Sequence, residues 1–239
     1  MDAAISSALF AATCLVVALA VLRADRRVTA VTAAATALYL GLDDFVTGLP
    51  HLIPALDFLG GRWNWSGKVL SLALSVAVIV ALRLSPDALG FRFRQEHPRL
   101  AWMSLAGFVA WGAMLGAIFQ PGMADPETLA FQATMPGLAE EIVYRGIAPA
   151  VLLGLINSRP HVSDVPWAVI IGTSLMFGVW HALSFSQGSI DFEVMSGLFP
   201  MIGSIAGGWL RFKTRSLLIP VLGHALANVA FHVAGGPGG

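Results

Sequence analysis

The stretch Pro136-Gly137-Leu138-Ala139-Glu140-Glu141-Ile142-Val143-Tyr144-Arg145-Gly146 opens an apolar run that continues to residue 156. Three ionisable side chains inside such a run need an explanation, because each costs about 2.5–3.5 kcal/mol in a membrane helix unless it is paired or hydrated. At about 100° per residue, Glu141 and Arg145 lie some 40° apart on one helical face and can pair, whereas Glu140 points about 100° away. Glu140 is therefore expected to face a cavity free of that pair, where desolvation would make it a better base. A charge cluster that only tied helices together would not need the second carboxylate.

The apolar setting extends over the whole chain. Of 239 residues, 56% are hydrophobic and 12% charged, and the mean hydropathy is +0.76. A soluble domain carries about a quarter charged residues, so an ordinary soluble fold is excluded and a polytopic membrane protein is expected. Lys and Arg together balance Asp and Glu at 14 each, which leaves no basic excess for nucleic acid. The one cysteine, Cys14, sits in an apolar run without a partner for a disulfide or a thiolate metal site, and reads as a small buried hydrophobe.

A hydrocarbon core about 30 Å thick needs roughly 20 apolar residues per helix. Eight segments qualify, at about 3–22, 28–42, 67–82, 101–119, 136–156, 167–185, 194–210 and 216–233, and none alternates as a barrel strand would. The expected fold is thus an all-α polytopic transmembrane helical bundle of about eight helices, a single integral membrane domain over 1–239. Residues 128–135 are read as an interfacial turn, with Pro136 as the first helical residue. Asp43 and Asp44, near the end of the second segment, are read as interfacial. The tail at 235–239 is read as disordered.

Cytoplasmic connections accumulate Lys and Arg. One alternating set of loops holds Arg23, Arg26, Arg27, Arg83, Arg92, Arg94, Arg99, Arg159, Arg211, Lys213 and Arg215, and the other only Arg62 and Lys68. Both termini should then be extracytoplasmic. Trp63, Trp65, Trp102, Trp167 and Trp209 fall near segment ends, as interfacial aromatics do. The first segment lacks the basic start of a cleaved signal and is retained as a transmembrane helix.

Two further helices carry polar groups. The sixth contains Phe177-Gly178-Val179-Trp180-His181 and the eighth His224-Ala225-Leu226-Ala227-Asn228. His224 and Asn228, four apart, share a face and can converge on one point. Donors of this kind stabilise the oxyanion of an acyl-transfer transition state. His51, His97 and His161 lie in loops, and His232 is read as interfacial.

The ordered set Glu140-Glu141…Arg145, Phe177…His181 and His224…Asn228 resembles the CPBP (Abi) family of intramembrane proteases, which includes CAAX prenyl endopeptidases and bacteriocin-processing enzymes. The resemblance spans roughly 136–230, the expected catalytic core, and implies an Rce1-like CPBP protease core. Carried over, it implies Glu140 as general base, His181 holding the attacking water, and His224 and Asn228 stabilising the oxyanion. Glu141, Arg145 and Phe177 would support the site. The resemblance implies a membrane-anchored protein or peptide substrate in the lipid bilayer of a bacterial or archaeal cell membrane. No cofactor is expected. The family was long described as metal-dependent, and Glu140, His181 and His224 could instead form a zinc site.

Other classes leave different marks. No His-Glu-x-x-His run occurs, and no second aspartate motif follows Asp43-Asp44. Gly172-Thr173-Ser174 resembles part of a rhomboid serine motif, but Leu175 stands where its closing glycine would be, so Ser174 is read as a helix-packing residue. The Glu/Arg/His cluster could also serve a proton-coupled transporter or a non-catalytic membrane scaffold. No inverted repeat supports the former.

Overall fold

The computed structural model describes residues 2–122, 124–158 and 162–236. Each of the eight expected segments is helical over most of its length, although 183–185 of the sixth belong to a strand and 153–156 of the fifth lie beyond its last helical residue. The helices are α1 (Asp2–Ala24), α2 (Ala30–Leu52), α3 (Trp65–Ala81), α4 (Pro86–Leu89), α5 (Pro98–Phe119), α6 (Pro126–Gln132), α7 (Met135–Glu141), α8 (Ala148–Leu152), α9 (Trp167–Ala182), α10 (Val194–Thr214) and α11 (Leu218–Ala234). The sequence writes many of the starts. Thr29 and Thr32 form a reciprocal capping box, while Asn64, Ser85 and Asp125 accept from backbone N–H groups of the first turns of α3, α4 and α6. Pro86, Pro98 and Pro126 open α4, α5 and α6, where a missing N–H costs nothing.

The eight-span reading is narrowed by helix lengths. Among the described residues, α1 and α5 have both the length and the hydropathy to cross a bilayer, and α3, α9 and α11 are apolar but shorter. Other expectations are corrected. Residues 128–135 are not a turn: most of them belong to α6, capped by Asp125. The second segment runs ten residues further than expected, to Leu52, so Asp43 and Asp44 lie inside α2. Asp43 is buried against Ser71, 2.6 Å away, and Asp44 accepts from Ser7 at 2.6 Å, so they are not interfacial. After α9 the chain forms an unanticipated antiparallel hairpin, β1 (Leu183–Ser186) and β2 (Ser189–Phe192). Arg159, His161 and residues 237–239 of the tail lie outside the described residues.

Two interfaces rest on glycine. Gly112 and Gly116 bring α5 against the backbone of α11 at Ala227 and Phe231, leaving no room for a Cβ. Gly178 and Gly197 do the same for α9 and α10. Ser204 donates to Ser174 at 2.8 Å across that second interface, in keeping with a packing role for Ser174. The main core gathers Phe10, Cys14, Leu40, Ile147, Leu152, Ile170 and Met176. On the outside, Val16, Val31, Leu38, Val80, Trp102, Met103 and Ile118 are exposed, and α5 buries only Ala101, Gly112 and Gly116. An outer face this apolar accords with a membrane protein.

Contacts sort the connections into two ends. At one, Arg27 pairs with Asp25 and Asp164, Arg215 with Glu96, and the Leu217 N–H donates to the Gly90 carbonyl. At the other, Arg62 pairs with Asp125, and the Gln187 N–H donates to Asp2 near the start of α1. The basic connections cluster at the first end, with one correction: Arg211 is fully buried and donates to the Ala88 carbonyl.

Candidate active site

The site begins with an irregular turn. Helix α7 passes into a π-helical turn, Ile142–Ile147, before resuming as α8. Pro149 has no N–H to close an α-type bond to the Arg145 carbonyl, and the Ala148 N–H reaches back to Val143 instead. Such widened turns cluster at functional sites. Here the turn starts immediately after Glu140 and Glu141.

Glu141 and Arg145 form the expected ion pair, 3.0 Å apart, with side chains 2% and 5% exposed. The Arg145 guanidinium also stands 4.3 Å from the centroid of the Phe177 ring, a cation–π contact. Glu141 has a second partner: its Oε1 accepts from His224 Nδ1 at 2.8 Å. The other ring nitrogen, Nε2, faces Glu140 Oε2 at 3.8 Å. That separation is too long for a direct hydrogen bond and suits a shared water.

Glu140 departs from expectation. It is not free, because its Oε1 accepts from Lys68 Nζ at 2.7 Å. Its Oε2 is buried without a partner. Lys68 belongs to the first buried turn of α3 rather than to a loop, and its ammonium lies 4.9 Å from the Trp180 ring centroid. Trp180 in turn donates to Asp44 at 2.7 Å.

His181 Nδ1 donates to the Phe177 carbonyl at 3.0 Å, which leaves Nε2 as an acceptor. Its ring packs edge-on against Phe177, 4.5 Å between centroids, and Phe177 stands 6.3 Å from the His224 ring. Asn228 donates to Gln132 Oε1 of α6 at 2.8 Å, which orients the amide and leaves its second N–H. Glu140, Glu141, Arg145, Phe177, His181, His224 and Asn228 all line one cavity of about 510 Å³, open to the exterior. Its lining also includes the apolar Trp63, Phe108, Trp111, Phe131 and Phe199.

Three contributors were missed by sequence reasoning: Lys68, Trp180 and Gln132. Lys68 sits at the start of an apolar run and was counted with the loop charges. Gln132 lay in the presumed turn. The signal available for Lys68 was Asn64 four residues earlier, whose capping of α3 draws Lys68 into the first helical turn.

A cation would compete with Lys68 for Glu140. Among the described residues, no group of three His, Cys, Asp or Glu side chains is arranged to hold a metal ion. In the alternative zinc set, Glu140 already holds the Lys68 ammonium through Oε1, while His181 and His224 bond through Nδ1 and keep Nε2 for another partner.

Residues 126–230, from α6 into α11, match the family model described as type II CAAX prenyl endopeptidase Rce1-like. This segment, less than half of the chain, is similar to the CAAX protease family. With that relation comes the reaction class of a protease, a hydrolase acting on protein or peptide, and the apolar helices accord with a membrane protein. No curated protein and no solved structure matches the chain.

Proposed function

We propose that this protein is a metal-free intramembrane endopeptidase in which Glu140 is the general base. The observation that carries the reading is the unpartnered Oε2 of Glu140, buried in the cavity 3.8 Å from His224 Nε2, where one water can contact both. Glu140 takes a proton from that water as the oxygen attacks the scissile carbonyl, and returns it to the departing amine. His181 Nε2 accepts from the same water. The oxyanion is met by the free N–H of Asn228 and by His224 Nε2–H. Because His224 Nδ1–H is donated to Glu141, Nε2 donates when the ring carries both protons. Lys68 at Glu140 supports a mechanism without zinc, since the positive charge beside the base is already in place.

The eight helical segments α1, α2, α3, α5, α7 with α8, α9, α10 and α11 cross the membrane in this reading. The cavity opens at the end of the bundle poor in basic residues, away from the cytoplasm. The substrate is then a membrane-anchored protein or peptide cleaved near the outer surface, its anchor entering past Trp63, Phe108 and Trp111.

The test is purified protein in liposomes with a quenched-fluorescent peptide library carrying an acyl anchor. Wild type should release fluorescence and Glu140→Gln, measured on folded, monodisperse protein, should abolish it. One equivalent of zinc in active protein, with chelation abolishing activity and zinc restoring it, would move Glu140 to a ligand role. Undiminished cleavage by Glu140→Gln would overturn the assignment.

A further inference from the structure

Lys68 is the cation of the site, and it comes from α3, outside the 126–230 segment that matches the protease family. Its side chain is 9% exposed and that of Glu140 8%. A buried ion pair is poor value as a mere strap, since replacing both partners with apolar residues is often neutral or stabilising. The geometry is more selective than a strap requires. A carboxylate has two equivalent oxygens, and the ammonium grips Oε1, which leaves Oε2 as the one turned toward His224. The ammonium itself is fixed by the Trp180 ring, which is anchored through its indole N–H to Asp44, and Asp44 is bonded to Ser7 of α1. Glu140 is faced by Lys68 of α3, His224 of α11, His181 of α9 and Asp43 of α2, besides Glu141 and Arg145 of its own helical run. Of these groups, Lys68 makes the hydrogen bond.

We propose that Lys68 is a positioning residue for the hydrolysis: it holds the Glu140 carboxylate rotated so that Oε2 meets the water, with Trp180 and Asp44 holding Lys68. The inference rests on Glu140 being the base. It makes the amino-terminal helices part of the working site.

The experiment compares Lys68→Met, Lys68→Arg and Trp180→Phe with wild type and Glu140→Gln, using an anchored fluorogenic peptide that wild type cleaves and counting only monodisperse, folded protein. Lys68→Met should lose about 10²–10³-fold in kcat with KM changed less than about threefold, as expected when a general base is misaligned. Lys68→Arg should recover at least about tenfold over Lys68→Met. Trp180→Phe keeps every charge and a ring but loses the bond to Asp44, and should lower kcat about 3–10-fold at constant KM. This variant decides the matter if Lys68→Met does not fold. The inference is overturned if kcat per folded molecule in Lys68→Met stays within about threefold of wild type, if Arg does no better than Met, or if Trp180→Phe is kinetically silent. An active Glu140→Gln would instead bring down the underlying reading, and an inactive Glu140→Gln beside fully active Lys68 variants brings down this inference alone.

Discussion

Replacing Arg145 with leucine should destabilise the protein severely without touching the water-binding atoms. The guanidinium is 5% exposed and pairs at 3.0 Å with a carboxylate that is 2% exposed. Truncating one partner of such a buried pair costs about 3–5 kcal/mol, because the remaining charge is left in a medium that cannot solvate it. The Phe177 contact at 4.3 Å adds about 0.5–2 kcal/mol. Against this, Glu141 keeps its hydrogen bond from His224 at 2.8 Å, which meets part of the orphaned carboxylate's need for donors. We therefore expect about 3 kcal/mol, the low end, which for a chain of this length corresponds to roughly 6–12 °C in thermal midpoint. Glu141→Gln orphans the arginine instead, and the double variant Glu141→Gln/Arg145→Leu should be less destabilised than the two single effects added, with a coupling of at least about 1 kcal/mol. Glu140→Gln should abolish activity, and because it orphans the buried Lys68 ammonium it should lower the midpoint as well. The assay is thermal unfolding in one detergent, followed by intrinsic fluorescence and by loss of monodispersity. A midpoint for Arg145→Leu within about 2 °C of wild type would refute the division between a structural pair and a catalytic carboxylate.

Three further outcomes follow from the fold. Gly112→Ala or Gly116→Ala, each placing a methyl group into the backbone of α11, should lower the thermal midpoint more than Gly107→Ala on the open side of α5, where nothing lies within 4 Å. In the α1–α2 connection, the Arg27 side-chain hydrogen bond holds the Asp25 carboxyl below its usual range. The stability this contributes is present above the unfolded value of about 3.9 and is lost as pH falls through the lower folded value. Thermal midpoints between about pH 5 and pH 2 should accordingly fall less steeply for Arg27→Ala than for wild type. In a Cys14→Ser background, Ser189→Cys in the hairpin should react with an impermeant thiol reagent on intact cells and Arg94→Cys only after the membrane is opened; the reverse pattern would invert the proposed orientation.

Much of the architecture was legible because it is written in composition and short spacing. Eight apolar runs gave eight helical segments, and the i, i+4 spacing of Glu141 and Arg145 gave their pair, although the turn between them is π-helical rather than α-helical. The motif residues were legible for the same reason: each is a polar group where an apolar helix should have none. What stayed hidden depends on tertiary contact. Gln132 orients Asn228 from a helix that reads as a turn, since a seven-residue element presents too little periodicity to be recognised. The widened turn at 142–147 arises from one missing N–H at Pro149, and its effect is felt one turn earlier in the chain. Asp43 and Asp44 read as a boundary because charges usually end apolar runs, yet serine and tryptophan partners on α1, α3 and α9 carry them through the interior.

Lys68 is the most instructive of the hidden residues. The charge rule assigns every lysine near a segment end to water, and that rule fails when an acid on another helix awaits the lysine. The motifs of the matched segment supply two carboxylates, two histidines and an asparagine, and one arginine that Glu141 already engages. Taken alone, that set leaves Glu140 Oε1 without a donor, since the nearest ring nitrogen, His224 Nε2, stands 3.8 Å from Oε2. Lys68 supplies that donor from elsewhere in the fold, its ammonium 2.7 Å from Oε1 and braced by Trp180. The amino-terminal helices are therefore more than packing around a catalytic core, because the electrostatics of the core are incomplete without α3.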